Sequence, residues 1–173
     1  QGQGTIIDDD DTVATISIDD VTQTEGDDGT SQSFTFTVTL SNPTGKTVTV
    51  DFETMDGTVV DAIATEATGD YDGQTGTLTF APGETTKVIT ITVNGDNVYE
   101  FNEEFYVKLS NATNVVSIAD DTGVGTILDN ELPPAIVSVG DFTVVREGDT
   151  GIKTASFVIS LDTPSAKPIS VDW

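Results

Sequence analysis

The sequence predicts an all-β chain, a seven-stranded antiparallel immunoglobulin-like β-sandwich set in tandem repeats. Three observations carry this. Short runs place an apolar residue at every second position, the mark of strands with one buried face. Seven such runs, separated by turn residues, fit into roughly 120 residues, the spacing of a two-sheet sandwich. The chain also repeats itself at a fixed offset of 121: Gly2, Gly4, Thr5, Ile6 and Asp8 recur as Gly123, Gly125, Thr126, Ile127 and Asp129, and Leu40, Pro43, Val50 and Asp51 recur as Leu161, Pro164, Val171 and Asp172. A fixed period is the signature of a repeat array.

The elements follow in order. Residues 13–18 (VATISI) open the unit. In Ser33-Phe34-Thr35-Phe36-Thr37-Val38-Thr39-Leu40 apolar residues alternate strictly with hydroxyls. The pattern recurs over 47–52, 76–80, 87–93, 105–109 and 123–128. Phe34, Phe36, Phe52, Phe80 and Phe105 are the expected core. Only residues 59–67 offer a short helical candidate. Residues 1–11 read as the last strand and acidic tail of a preceding repeat, 12–132 as a complete repeat, and 133–173 as the opening strands of a following one.

Composition narrows the function. Thirty acids stand against six bases among 173 residues, a net charge of −24. Nucleic acid is excluded as a direct partner, because phosphate binding needs Lys and Arg. Such an imbalance repels itself unless cations neutralise it. The disordered-acidic reading loses to the 36% hydrophobic fraction and its regular patterning. With no Cys and no His, thiolate nucleophiles, Cys/His zinc sites and Ser-His-Asp triads are absent. No apolar run approaches the ~18–20 residues of a membrane span, so no direct membrane insertion is expected.

In an antiparallel sandwich alternate connections lie at the same end. The first–second, third–fourth and fifth–sixth connections, with the exit from the seventh strand, carry Glu25, Asp27, Asp28, Asp56, Asp61, Asp96, Glu100, Glu103, Asp129 and Glu131. The opposite connections carry only Glu84, Asp120 and Asp121. Carboxylates within ~4 Å repel by about 1–4 kcal/mol per pair, depending on the effective dielectric. A fold that gathers ten of them at one pole needs a cation there. Only oxygen donors are on offer, which is hard-cation chemistry, and loops of varied length suit the loose 6–8 oxygen shell of Ca²⁺ better than the tight octahedron of Mg²⁺. Neither an EF-hand loop nor a Gly-Gly nonapeptide repeat is present, so the ligands must come from loops distant in sequence.

The motifs resemble the Calx-beta family, the calcium-binding module of sodium–calcium exchangers that recurs in integrin β4 and giant adhesion proteins. The matching pieces run in family order over residues 13–131: Thr24-Glu25-Gly26, Val50-Asp51-Phe52 leading to Asp56-Gly57-Thr58, Gly69-Asp70-Tyr71, Gly76 to Glu84, Asn94 to Phe105, and Gly125-Thr126-Ile127-Leu128-Asp129. Arg146-Glu147-Gly148 and Val171-Asp172-Trp173 repeat the opening pieces. The resemblance implies calcium ligands at Glu25, Asp56, Asp96, Glu100, Glu103, Asp129 and Glu131, plus the carbonyl of Val98. Gly95, Asn97 and Asn130 interrupt acidic runs that are unbroken in the members richest in calcium, which implies fewer or weaker ions here.

Other features have plainer readings. Asp70 and Tyr71 are expected to be structural, and part of the Asp8–Asp11 run to ligate calcium for the preceding unit. Asp121-Thr122-Gly123 and Asp149-Thr150-Gly151 spell the aspartic-protease triplet, but that chemistry needs two carboxylates sharing a proton in a closed apolar site, and neither copy follows the required apolar strand. Asn111-Ala112-Thr113 is a formal glycosylation sequon. No enzymatic activity is expected.

The leading expectation is a structural repeat whose Ca²⁺ stiffens the joints between neighbouring repeats of the same or an identical chain. It places the protein outside the cell or on a microbial cell surface, in adhesion or in a fibre or sheath. The second expectation is a regulatory calcium sensor attached to a membrane transporter.

Overall fold

The computed structural model describes residues 4, 14–58, 63–67, 69–115, 117–141, 148–152, 154–165 and 168–172. The expected strand and acidic run of residues 1–11, Val13, Asp61, most of the helical candidate, and Arg146-Glu147 and Trp173 lie outside the described residues. The chain divides into two units, 1–131 and 132–173.

The first unit is the expected two-sheet sandwich. Its strands are β1 (Thr15–Ile18), β2 (Val21–Thr24), β3 (Ser31–Leu40), β4 (Val48–Asp56), β5 (Thr75–Phe80), β6 (Thr86–Asn94), β7 (Glu103–Ser110), β8 (Ser117–Ile118) and β9 (Thr122–Leu128). One sheet has the order β6-β3-β1-β8, the other β2-β9-β7-β4-β5. Alternation does what the sequence predicts: Phe34, Phe36, Val38 and Leu40 of β3 are buried while the intervening hydroxyl residues are not. β3 and β6 pair over nine residues, from Ser31↔Asn94 to Thr39↔Thr86.

The opening strand expected at 13–18 is β1, and a further strand that alternation did not mark, β2, follows it in the other sheet. β1 pairs antiparallel with β3 and parallel with β8, and β2 pairs parallel with β9. These are exceptions to an otherwise antiparallel arrangement. The switch falls at two aspartates. Asp19 Oδ1 accepts from the Thr37 amide of one sheet at 2.6 Å, and Asp20 Oδ1 accepts from the Val124 amide of the other at 2.8 Å. Each carboxylate binds one sheet, so the crossover is pinned on both sides.

Phe105 centres the core. Its ring lies 5.8 Å from Phe34, 6.0 Å from Phe36 and 4.6 Å from the stacked ring of Tyr71. The Gly-x-Gly of β9 makes room for it, because a Cβ on Gly125 would collide with the Phe105 ring. Phe34, Phe36, Phe80 and Phe105 are fully buried as expected, whereas Phe52 is only partly buried against the cluster. Phe52 lies between Leu109 of β7 and Gly76 of β5, with its ring over the glycine, which has no side chain to cover it. The described part of the helical candidate, 63–67, contains no helix. Ile63 forms a β-bridge with Glu104, and a turn follows at 66–67.

The second unit is a hairpin of β10 (Val137–Val139) and β11 (Ile159–Leu161), paired Val137↔Leu161, Ser138↔Ser160 and Val139↔Ile159. Among the described residues, no helix is long and apolar enough to cross a membrane.

Candidate metal centre

Strand direction brings the acidic connections to one end of the first unit. Glu25 follows β2, Asp96 follows β6, Glu103 opens β7, and Asp129 and Glu131 follow β9. The loops are locked by backbone contacts. The Glu25 amide donates to the Leu128 carbonyl at 3.3 Å, the Gly26 amide to Asn130 Oδ1 at 3.2 Å, and the Gly95 amide to the Thr30 carbonyl at 3.0 Å. Gly95 presses against the Gly26 carbonyl so closely that a Cβ there would overlap it. The glycine that breaks the acidic run is therefore needed for loop closure.

Among the described residues, two carboxylate clusters result. Glu25, Asp129 and Glu131 each offer an oxygen within 4.8 Å of the others, and so do Asp70, Glu100 and Glu103. Glu25 is 6% exposed. Among the described residues, Glu131 Oε2 is buried without a hydrogen-bond donor when the carboxyls are ionised, and a proton on Glu25 or Glu131 links the two side chains. Burial pushes Glu25 up to about 8, helped by the charges of Glu131 and Asp96. Burial, then Asp70 and Glu100, pushes Glu103 up to about 7. Glu100 and Glu131 are also raised, chiefly by burial. Asp96 contributes repulsion to all four, so its charge is common to both clusters.

The opposite pole behaves differently. Lys87 pairs with Glu84 at 2.9 Å and Lys108 with Asp121 at 2.7 Å. Hydrogen bonds from these lysines hold both carboxyls below their usual range. The Asp121-Thr122-Gly123 triplet is thus an ion-paired surface turn. Lysines serve one pole, and the other gathers carboxylates that resist ionising together.

The remaining expected ligands are placed as follows. Asp96 Oδ1 accepts from the Val98 amide at 2.6 Å, a short turn that fixes the loop carrying Glu100. Val98 itself is about half exposed. Asp56 lies in neither cluster. Its Oδ1 accepts from the Tyr71 hydroxyl at 2.8 Å and the Glu66 amide at 3.0 Å. Of the other acids at this pole, Asp28 Oδ2 accepts from Asn97 Nδ2 at 3.3 Å.

Sequence reasoning gave Asp70 a structural role only. Its Oδ2 does accept from the Thr65 amide at 2.8 Å, yet the same carboxylate joins Glu100 and Glu103. The usable signal was the Asp-Tyr pair. Tyr71 bridges to Val93 near the end of β6, which carries Asp70 to the ligand pole.

The donor set suits a hard cation. It consists of oxygens only, several of them reluctant to ionise without a compensating positive charge. These are the conditions under which a bound cation stabilises rather than strains a fold.

Residues 8–131 match the family model described as the Calx-beta domain. The sodium/calcium exchanger 1 of Mus musculus is 34% identical over 113 residues, covering 62% of this chain and 11% of the exchanger. The sodium/calcium exchanger 3 of Rattus norvegicus is 31% identical over 113 residues, covering 63% of this chain and 12% of that protein. This chain thus spans about a tenth of those relatives. The crystal structure of the apo-form Calx CBD1 domain superposes with a TM-score of 0.55 at 24% identity, covering 69% of this chain and 99% of that one. That of the calcium binding domain CBD12 of CALX1.1 gives 0.56 at 24% identity, covering 78% and 53%. At that identity the two structures bear on the fold alone. The relatives correct one expectation. They are mammalian sodium/calcium exchangers rather than secreted microbial proteins, so the microbial, extracellular assignment is withdrawn. It rested on an acidic, base-poor surface, but a cation-binding pole requires that composition on either side of a membrane.

Proposed function

Because the chain belongs to the Calx-beta family, we propose that its central domain is a calcium-responsive regulatory module that passes ion occupancy to an attached transporter. The observation that carries the reading is the Glu25–Asp129–Glu131 cluster, three carboxylates with oxygens within 4.8 Å of one another, in which Glu25 is buried and Glu131 Oε2 has no donor among the described residues unless a neighbouring carboxyl keeps its proton. Leaving such an oxygen unpaired is costly, and a divalent cation removes the cost.

Glu25, Asp96, Asp129 and Glu131 would hold one ion, and Glu100, Glu103 and Asp70, again beside Asp96, a second. Asp56 and the Val98 carbonyl belong to the set through the family resemblance alone. Calcium, when bound, supplies the positive charge that lets these carboxylates ionise side by side. The chain's own part is to hold the oxygens together through the Gly95–Gly26 contact and to keep Lys87 and Lys108 at the other pole. Binding, not catalysis, is the role assigned.

The exchanger relatives support the sensor reading over a stiffening scaffold. Affinity separates the two. Calorimetric titration of the full chain with calcium should give a dissociation constant of about 10⁻⁷–10⁻⁵ M for a sensor, against about 10⁻⁴–10⁻³ M for an extracellular-type module. Absence of binding would remove the metal reading altogether.

A further inference from the structure

We propose that Asn94-Gly95 is a deamidation site built into the ligand pole, guarded while a bound ion keeps the pole shut, and that its conversion releases Asp70 from the second carboxylate cluster. The proposal rests on the calcium reading above and names a modification that would impair that site. Asn94 is the chain's only asparagine followed by glycine. Glycine, without a Cβ, leaves its amide nitrogen unhindered for attack on the preceding side chain.

The fold requires both residues. Gly95 is buried, and a Cβ on it would overlap the Gly26 carbonyl. Asn94 fastens the segment that carries Asp70. The Asp72 amide donates to the Thr92 carbonyl and the Asn94 amide to the Asp70 carbonyl, each at 2.9 Å, on either side of the Tyr71↔Val93 bridge. The Asn94 side chain adds one more rung, with Nδ2 donating to the Gly69 carbonyl at 2.8 Å. Asp70, held between these bonds, is the carboxylate that joins Glu100 and Glu103. The same contacts keep the reacting atoms apart. Nδ2 is turned to Gly69, and the Gly95 amide is committed to the Thr30 carbonyl at 3.0 Å. Attack needs both bonds broken and Gly95 parted from Gly26, the chain neighbour of Glu25. An ion held by Glu25, Asp129 and Glu131 therefore guards the pair.

In the opened pole the Gly95 nitrogen gives its proton to solvent and attacks Asn94 Cγ. The N–Cγ bond forms, the Cγ–Nδ2 bond breaks, and the leaving nitrogen takes a proton from solvent and departs as ammonia. Water then opens the five-membered imide. Opening at Cγ leaves an aspartate at position 94. Opening at the main-chain carbonyl leaves an isoaspartyl link, one carbon longer where Gly95 meets Gly26. Water is consumed and ammonia released, with no oxidant or reductant. Either product lacks the donor to Gly69. In the aspartate product a carboxylate also stands where Nδ2 met Asp72 Oδ1 at 3.5 Å, and the like charges repel. The rung beside Asp70 is lost.

Trypsin, cutting after Lys87 and Lys108, releases residues 88–108 as one peptide that holds Asn94, Asn97 and Asn102. The full chain is aged in mildly alkaline buffer with calcium or with a chelator, and fragmentation of this peptide locates the lost amide. Calcium at about 100 times its dissociation constant disfavours an ion-free open pole about 100-fold. Asn94 should therefore convert at least about tenfold more slowly with calcium than with chelator, while Asn97 and Asn102 lag behind it in the chelator. Asn94→Asp should weaken, by about tenfold, the same calorimetric binding step that Asp70→Asn weakens, and leave the other step in place. With Asp70→Asn already present, Asn94→Asp should add nothing. Equal conversion of Asn94 with and without calcium, in protein that calorimetry shows to bind the ion, overturns the proposal. So does conversion of Asn94 no faster than that of Asn97 and Asn102 in the chelator, or equal weakening of both binding steps. Absence of any binding heat sinks the calcium reading beneath it instead. The conversion rates are read on the unaltered chain, so they decide the matter even where a variant fails to fold.

Discussion

Adding calcium to the ion-free protein at pH 7 should expel protons, and the number can be worked from the site. Glu25, held at about 8 by burial and its acidic neighbours, is about nine-tenths protonated at pH 7 by the ordinary titration relation. Glu103, held at about 7, is about half protonated. A carboxylate must lose its proton to serve as a ligand. Filling both clusters therefore releases roughly one to one and a half protons per molecule. The same competition weakens calcium binding at the Glu25 cluster about 50-fold, and at the Glu103 cluster about tenfold, between pH 8 and pH 6. Calorimetric titration in buffers of different ionisation enthalpy measures the release as the slope of apparent heat against buffer heat. The sign also shows in stability. Groups raised in the folded state from 4.5 to about 8 and about 7 contribute stability that is complete below about pH 4.5 and is lost as pH rises through their folded values. Without calcium, melting temperature should fall between pH 6 and pH 9 from these groups, and with saturating calcium that fall should vanish. A slope of zero at pH 7, with binding intact, would refute the view that burial and mutual repulsion keep these carboxyls protonated.

Other outcomes follow from single contacts. Asp96→Ala should weaken calcium binding because its charge reaches both clusters, whereas Asp120→Ala, at the opposite pole, should leave the titration unchanged. Tyr71→Phe removes the hydroxyl bonded to Asp56 at 2.8 Å and should cost about 1–3 kcal/mol in urea unfolding. Phe105→Ala empties the centre of four packed rings and should cost about 3–5 kcal/mol by the same measurement.

Alternation was readable wherever one face of a strand is buried, because a side-chain period of two leaves β3, β6 and β7 no other arrangement. It did not mark β2, and the change of sheet after β1 turns on contacts of Asp19 and Asp20 with residues 18 and 104 positions away. The acidic pole followed from strand direction, so Glu25, Asp96, Glu103, Asp129 and Glu131 could be collected from distant loops. Asp70 escaped because its short-range bond to Thr65 is a sufficient local reason for its presence, and its second neighbourhood is set by folding at long range. Phe52 was misplaced for a related reason: alternation assigns a face but not what the neighbouring strand sets beside the residue, here Gly76, which has no side chain to cover the ring. Compartment was not legible at all, since an acidic pole suits a cation equally well on either side of a membrane.

The parallel pairing of β2 with β9 bears on how the domain carries tension. Its second strand and its last strand run the same way, in register from Val21↔Gly125 to Thr24↔Leu128. A pull applied between residues 20 and 131 drags these strands past each other lengthwise, so their bonds must fail together rather than unzip one by one. The carboxylates of Glu25, Asp129 and Glu131 sit where that seam ends, and an ion held there ties its two lips together. Stretching single molecules with and without calcium should give a higher rupture force when the ion is present, so the same three carboxylates would also set the load at which the domain yields.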